Sequence, residues 1–302
     1  AKKRPSQTPA AKRRREPRPV PNGTLWYGDN LDVLREHVPS ESVDLVYLDP
    51  PFNSKRAYNV IFRGPKGIDS ASQIQSFDDS WTWTGATNLA LADLARTNMR
   101  VHGLVDALVR SIGQTDTTAY LVMMALRLVE LHRVMRPSGS LYLHCDPTAS
   151  HYLKIVLDAV FGPKNYRNEI TWKRQSAHND AKQGARHFGR ITDTILFYSK
   201  GDDYTWNTRY TPYDPGYIEG FYRHVDPDGR RYRLSDLTAP GGAGKGNPHY
   251  ELMGVTRYWR YSKARMDDLV RAGRVVQTRP GGVPQYVRYL DEMPGAAIQN
   301  LW

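Results

Sequence analysis

Cysteine is almost absent from this 302-residue chain, where Cys145 stands alone. That excludes an internal disulfide framework and any multi-cysteine zinc site. No apolar run approaches the roughly 20 residues that span a bilayer. No charged-then-apolar leader pattern opens the chain. Together these absences make an intracellular protein, with no membrane partner, the expectation. Acidic residues are in the minority, 31 against 42 lysines and arginines, for a formal net charge of +11. The surplus is concentrated at one end. Lys2, Lys3, Arg4, Lys12, Arg13, Arg14, Arg15 and Arg18 face only Glu16 in residues 1–19, a balance of +7 that leaves +4 for everything after it. With four prolines and almost no core-forming residue there, residues 1–22 are expected to be a disordered basic tail. Such a tail is a solvated leader, a nucleic-acid arm or, in a eukaryote, a nuclear-import signal. The rest of the chain is long enough, at 40% hydrophobic, for one large core or two modest ones.

The most informative segment is Val43-Asp44-Leu45-Val46-Tyr47-Leu48-Asp49-Pro50-Pro51-Phe52. A short apolar run of this kind reads as a buried parallel strand. Two prolines cannot continue a ladder and hold the chain extended, so it leaves the sheet as a stiff loop. Asp49 and Phe52 are thereby presented at the carboxyl edge of a sheet, where open α/β folds keep their ligands. An acid, rigid carbonyls and an aromatic face can together hold a flat, amino-bearing ring.

Upstream, Thr24 to Tyr27 reads as a short strand, and Asp29 or Asn30 as the cap of a helix beginning near Leu31. Residues 53–115 are poorly patterned, and a stretch this long between core elements is usually functional or partly helical. A helix is expected over 117–135, ended by Pro137-Ser138-Gly139, with a strand at 140–144. Asp146 is expected to cap a helix with Pro147 at its first position and Gly162 just past its end. Two further strands are expected at 169–173 and 193–199. From 203 the composition shifts toward Tyr, Arg, Asp, Gly and Pro. There Ser262 caps a helix that ends at Gly273, followed by a strand from Arg274 to Thr278. The glycine-rich segments Gly241–Gly246 and Phe62–Gly67 lack the context of a nucleotide loop. No metal site is expected at His144, Cys145, Asp146 and His151, because strand alternation sends His144 and Cys145 to opposite faces.

Four segments in order carry a resemblance: Tyr27-Gly28-Asp29-Asn30-Leu31, then Asp49-Pro50-Pro51-Phe52, then Pro137 to Asp146 (Pro-Ser-Gly-Ser-Leu-Tyr-Leu-His-Cys-Asp), then Asn168 to Lys173. The chain resembles the amino-methyltransferases of DNA, in their permuted β group. The resemblance implies an α/β fold: a doubly wound, Rossmann-like methyltransferase sheet with a reversed hairpin at 169–199 and an inserted, loop-rich target-recognition domain. It implies a catalytic core over 23–200 and a target-recognition region over 201–302. It implies methyl transfer from S-adenosylmethionine to the exocyclic N6 of adenine in double-stranded DNA. Cytosine N4 methylation and a non-catalytic DNA-binding module stand as alternatives. Asp49, Pro50, Pro51 and Phe52 would be catalytic, Trp172 and Lys173 would line the base pocket, and Asp29 and Asn30 would touch the cofactor. A cytoplasmic, nucleoid-associated bacterial protein, a restriction nuclease partner and a homodimer belong to the same expectation. The pattern departs from the family in one respect: no Asp-Pro-Phe-x-Gly-x-Gly segment occurs, so this chain alone is not expected to bind S-adenosylmethionine tightly.

Overall fold

The computed structural model describes residues 23–51, 57–60, 74–78, 81–176, 186 and 188–302. The basic tail, Phe52 and the Phe62–Gly67 segment lie outside the described residues. The chain divides into two compact units, one ending at Trp206 and regaining Gln299–Trp302, the other Asn207–Ile298.

In chain order the first unit holds α1 (Asn30–His37), β1 (Val43–Leu48), a β2–β3 hairpin (Ala57–Val60, Ile74–Asp78), α2 (Gly85–Thr97), α3 (Met99–Ile112), α4 (Asp116–Val134), β4 (Met135–Cys145), α5 (Ser150–Phe161), β5 (Tyr166–Lys173) and β6 (Thr192–Ser199). The main sheet runs in the order β1-β4-β6-β5. β1 is parallel to β4, whereas β6 is antiparallel to both of its neighbours. A parallel pair needs a long crossover, and α2 to α4 supply it. This is the mixed α/β class that the sequence pattern implied.

Helix α4 explains most of the packing. Twelve of its 19 residues are buried, the mark of a helix hydrophobic nearly all round and enclosed by others. It shares a core with Leu94 of α2, Val101 and Val105 of α3, and Leu153, Val156 and Leu157 of α5. Val46, Leu141, Leu143, Cys145, Leu196 and Tyr198 join that core from the sheet. Alternation sends Tyr142, His144 and Phe197 to the opposite face, where Tyr142 and Phe197 stack at 4.5 Å between ring centroids. Burial pushes the Cys145 thiol well above its ordinary range, so it stays protonated and inert.

Several local expectations are corrected. β1 is parallel as anticipated but is a terminal strand of the sheet, with Leu45 59% and Tyr47 61% exposed. Its apolar run is therefore not a sign of burial on both faces. Residues 24–27 form no strand, and Trp26 stacks on His37. The poorly patterned stretch 53–115 is partly helical, as its length suggested: it contains α2 and α3, capped by Thr84 and Asn98. α5 begins at Ser150, because the Asp146 carboxylate caps the amides of Thr148 and Ala149 in a preceding turn. Pro147 thus falls before the helix.

Pro137-Ser138-Gly139 does not separate helix from strand. It lies within β4 as a bulge, between the Val43–Met135 and Leu45–Ser140 pairs. A Cβ at Gly139 would sit 3.0 Å from the Arg136 carbonyl oxygen and 3.2 Å from those of Val43 and Asp44. Gly139→Ala is therefore expected to cost about 1–3 kcal/mol, read as a lower denaturation midpoint with unchanged slope. An unchanged midpoint would mean that the bulge relaxes freely.

The second unit contains a β7–β14 pair (Tyr210–Thr211, Ala296–Ala297), α6 (Pro215–Phe221) and a four-stranded antiparallel sheet. That sheet orders β12 (Val275–Val276), β13 (Gln285–Tyr289), β9 (Arg231–Asp236) and β8 (His224–Val225). A β10–β11 hairpin (His249–Leu252, Val255–Tyr258) and α7 (Lys263–Arg271) complete it. Ser262 caps α7 as expected. The strand after it is shorter than expected, only Val275 and Val276. The unit has its own core of Leu237, Leu252, Trp259, Met266, Leu269 and Val275. The unit runs from Asn207 to Ile298, while Tyr204 and Trp206 lie against Phe197 of the first unit. Residues 300–302 bond along the edge of β5, through Thr171 and Lys173.

Candidate active site

Asp49 follows the last residue of β1, at the carboxyl end of a strand that Leu48 pairs to Leu143 of β4. Its side chain is 60% exposed. Alternation places Asp49 with Tyr47 on the face away from the helical core, the face that also carries His144. There Asp49 Oδ1 lies 2.9 Å from His144 Nδ1, and His144 Nε2 lies 3.2 Å from Asp193 Oδ2. Asp193 is 2% exposed and also pairs with Arg174 Nε at 3.1 Å. The row thus runs across three strands, from the β1 loop through β4 to β6. Asp49 Oδ2 keeps no hydrogen-bond partner among the described residues.

Trp172 completes this surface. It pairs in register with Asp193 and sets its ring edge-on to His144, 5.3 Å between centroids at 67°. Its 40% exposure leaves ring surface for a flat ligand. Lys173, one residue on, alternates to the other face and is exposed; its backbone amide donates to the Trp302 carbonyl. The structure therefore brings Asp49, Pro50, Pro51 and Trp172 into one neighbourhood, and sets Lys173 apart.

Asp29 and Asn30 are placed elsewhere. Asp29 caps α1 by accepting from the Leu31 amide at 2.8 Å. Arg127 of α4 then donates to Asp29 and Asn30, both at 2.7 Å. A second clamp holds the same two helices: Glu130, nearly buried, accepts from Arg35 and Arg133. α1 is thus fixed to α4 at two points. No contact joins Asp29 or Asn30 to Asp49 among the described residues.

His144 and Asp193 are the members of this site that sequence reasoning passed over. Alternation correctly separated His144 from Cys145, but His144 was then weighed only as a metal ligand. Among the described residues no cluster of metal-ligating side chains occurs. Asp193 lies 49 residues from His144, and His144 lies 95 from Asp49. No spacing rule in one sequence links them; only the sheet order does.

The Tyr and Arg residues of the second unit are largely engaged within it. Arg230 lies 3.7 Å over the Tyr289 ring and holds Asp291 bidentately through Nε and Nη2. Arg233 donates to the Tyr217 hydroxyl, Arg260 to the Thr238 carbonyl, and Tyr222 is buried. Arg209, Arg231 and Arg257 are exposed, and their side chains make no hydrogen bond, ion pair or ring contact among the described residues.

With this geometry in place, comparisons with known proteins bear on its meaning. The pattern of the DNA methylase family, of the N6/N4 type, matches residues 43–233. The chain is 25% identical to the type II methyltransferase M.EcaI of Enterobacter cloacae over 94% of its length and 52% of that protein's. It is 27% identical to the Mod subunit of the type III restriction-modification enzyme StyLTI of Salmonella typhimurium, over 91% of this chain and 40% of that one. The EcoP15I Mod subunit of Escherichia coli matches at 25% identity over 59% of this chain and 24% of that subunit. The chain thus spans about half the length, or less, of the curated relatives it matches. Among the described residues, no helix is long and apolar enough to cross a membrane.

Proposed function

This chain belongs to the N6/N4 DNA methylase family, and from that premise we propose that it serves methyl transfer to the exocyclic N6 of adenine in double-stranded DNA. The observation that carries the reading is the exposed Asp49 carboxylate on its proline-stiffened loop, with one oxygen held by His144 and the other open. An adenine amine is a weak nucleophile because its lone pair is delocalised into the ring. A carboxylate oxygen and the Pro50 carbonyl accepting its two hydrogens draw that lone pair out of the ring plane and aim it. This is orientation and electrostatic stabilisation rather than prior deprotonation. The target base must leave the duplex to reach the loop. Phe52 is proposed to stack on the flipped base, with Trp172 beside it. Pro51 stiffens the loop, and Lys173 is kept as an outer contact of the base pocket.

S-adenosylmethionine, the methyl donor of the family, supplies an electrophilic methyl group when bound. Asp29 Oδ1 and Asn30 Oδ1 are already occupied by Leu31 and Arg127, and no glycine-rich strand-to-helix turn lies among the described residues. Gly28, with φ +133 and open space around it, Asp29 and Asn30 are proposed to give one edge contact.

The antiparallel β5–β6 pair supports a reading as the reversed hairpin of the family. The separate core of Asn207–Ile298 supports its reading as the target-recognition region, with Arg209, Arg231 and Arg257 proposed to meet phosphates or base edges. Relatives named as Mod subunits motivate a restriction nuclease partner; a homodimer and a place in the bacterial cytoplasm are part of the same proposal.

The test is mass spectrometry of nucleosides from DNA treated with the complete gene product and cofactor. N6-methyladenine is expected because Asp rather than Ser precedes the two prolines. N4-methylcytosine as the sole product would refute the adenine assignment, and no methylated nucleoside at all would refute the activity.

A further inference from the structure

We propose that His144, anchored by Asp193, is a positioning residue that sets Asp49 for the target amine; this rests on the methyl-transfer reading above. Asp49 is attached to the end of a terminal strand and is mostly exposed, so nothing in its own backbone fixes its χ angles. His144 is the opposite: only 7% of its side chain is exposed, and β4 lies between two paired strands. The contact from the buried ring to the exposed carboxylate restrains Asp49. Restraining Oδ1 selects which oxygen faces the open side, and leaves Oδ2 to accept from the substrate.

The hydrogen bonds are directional. Two carboxylates can only accept, so the ring satisfies both when Nδ1 and Nε2 each carry a proton. Asp193 anchors Nε2, and Arg174 in turn holds Asp193. The row runs from Asp49 through His144 and Asp193 to Arg174. One oxygen of the anchor, Asp193 Oδ1, is buried with no hydrogen-bond partner, an expense of the kind found at functional sites more than in ordinary cores. With Oδ1 held by the ring, Oδ2 is the oxygen left to align the amine. Trp172, edge-on to the same ring, ties the base pocket to the brace.

The test uses the complete gene product. His144→Ala is expected to lower kcat by about 100-fold, the scale of a misplaced catalytic group, with KM for DNA and for the methyl donor changed less than about threefold. His144→Asn, whose amide can reach the Nδ1 position, should regain at least about tenfold of that loss, since it restores a donor to Asp49. His144→Gln, which reaches the Nε2 position instead, should not. Equal loss in Asn and Gln variants, or wild-type kcat in the Ala variant, would overturn the proposal. A second readout does not require activity: in spectra of 15N-histidine-labelled protein, Asp49→Asn should move the His144 Nδ1 resonance and Asp193→Asn the Nε2 resonance. If neither moves, the brace does not exist. An inactive wild type with both shifts present would instead refute methyl transfer and leave the brace standing.

Discussion

Asp49→Ala is expected to abolish methyl transfer, with a loss of at least about 100- to 1000-fold in kcat, the range seen when one preorganised electrostatic partner of a reacting group is removed. DNA binding should change little, because phosphate contacts dominate affinity and Asp49 would meet only the target amine. The structure sharpens this expectation. Asp49 is exposed and bonds only to His144 among the described residues, so its removal takes away no core contact. A fall in activity therefore cannot be put down to unfolding, and a melting curve of the variant should overlay that of the wild type. Methyl incorporation into DNA, measured beside a binding titration, checks both halves. Near-normal turnover would remove Asp49 from the chemistry.

The second large effect is on stability. Trp259 is fully buried at the centre of the smaller core, among Leu237, Leu252, Met266, Leu269 and Val275. Its indole N–H donates to the Tyr250 carbonyl at 2.8 Å, and its backbone amide to the Pro248 carbonyl. Trp259→Ala would lose the largest side chain of that core and leave the Tyr250 carbonyl without this donor. A cost of about 3–5 kcal/mol is expected, enough to unfold a small unit of marginal stability. Because Asn207–Ile298 is a compact unit with a core of its own, the damage should be local. Hydrogen exchange should accelerate at the amides of β9 and β13 and stay slow at those of β4 and β6. Equal acceleration in both would mean that the two units unfold as one.

By itself the sequence determined those features that depend on neighbours along the chain. The Asp-Pro-Pro exit from a strand, the long apolar helix α4, the Ser262 cap and the opposite facing of His144 and Cys145 all follow from periods of two or 3.6 residues and from proline geometry. Family membership was legible for the same reason, since it rests on short segments in a fixed order. What depends on non-local pairing was not legible. The apolar run 43–48 reads the same whether its strand is central or terminal, and only the order β1-β4-β6-β5 decides that Leu45 and Tyr47 are exposed. Helix α2 buries only Leu94 and writes a weak period, whereas Val101, Leu104, Val105 and Leu108 of α3 recur at helical spacing, a signal the sequence did carry. The Tyr and Arg residues near the end of the chain looked like a recognition surface, yet Arg230 and Arg233 are held by Tyr, Asp and Glu partners that composition cannot reveal. The Asp49–His144–Asp193 row is the clearest case. Its members come from three stretches of sequence and meet because hydrogen-bonded strands stand about 4.8 Å apart, so the tertiary structure alone decided that the acid has a brace.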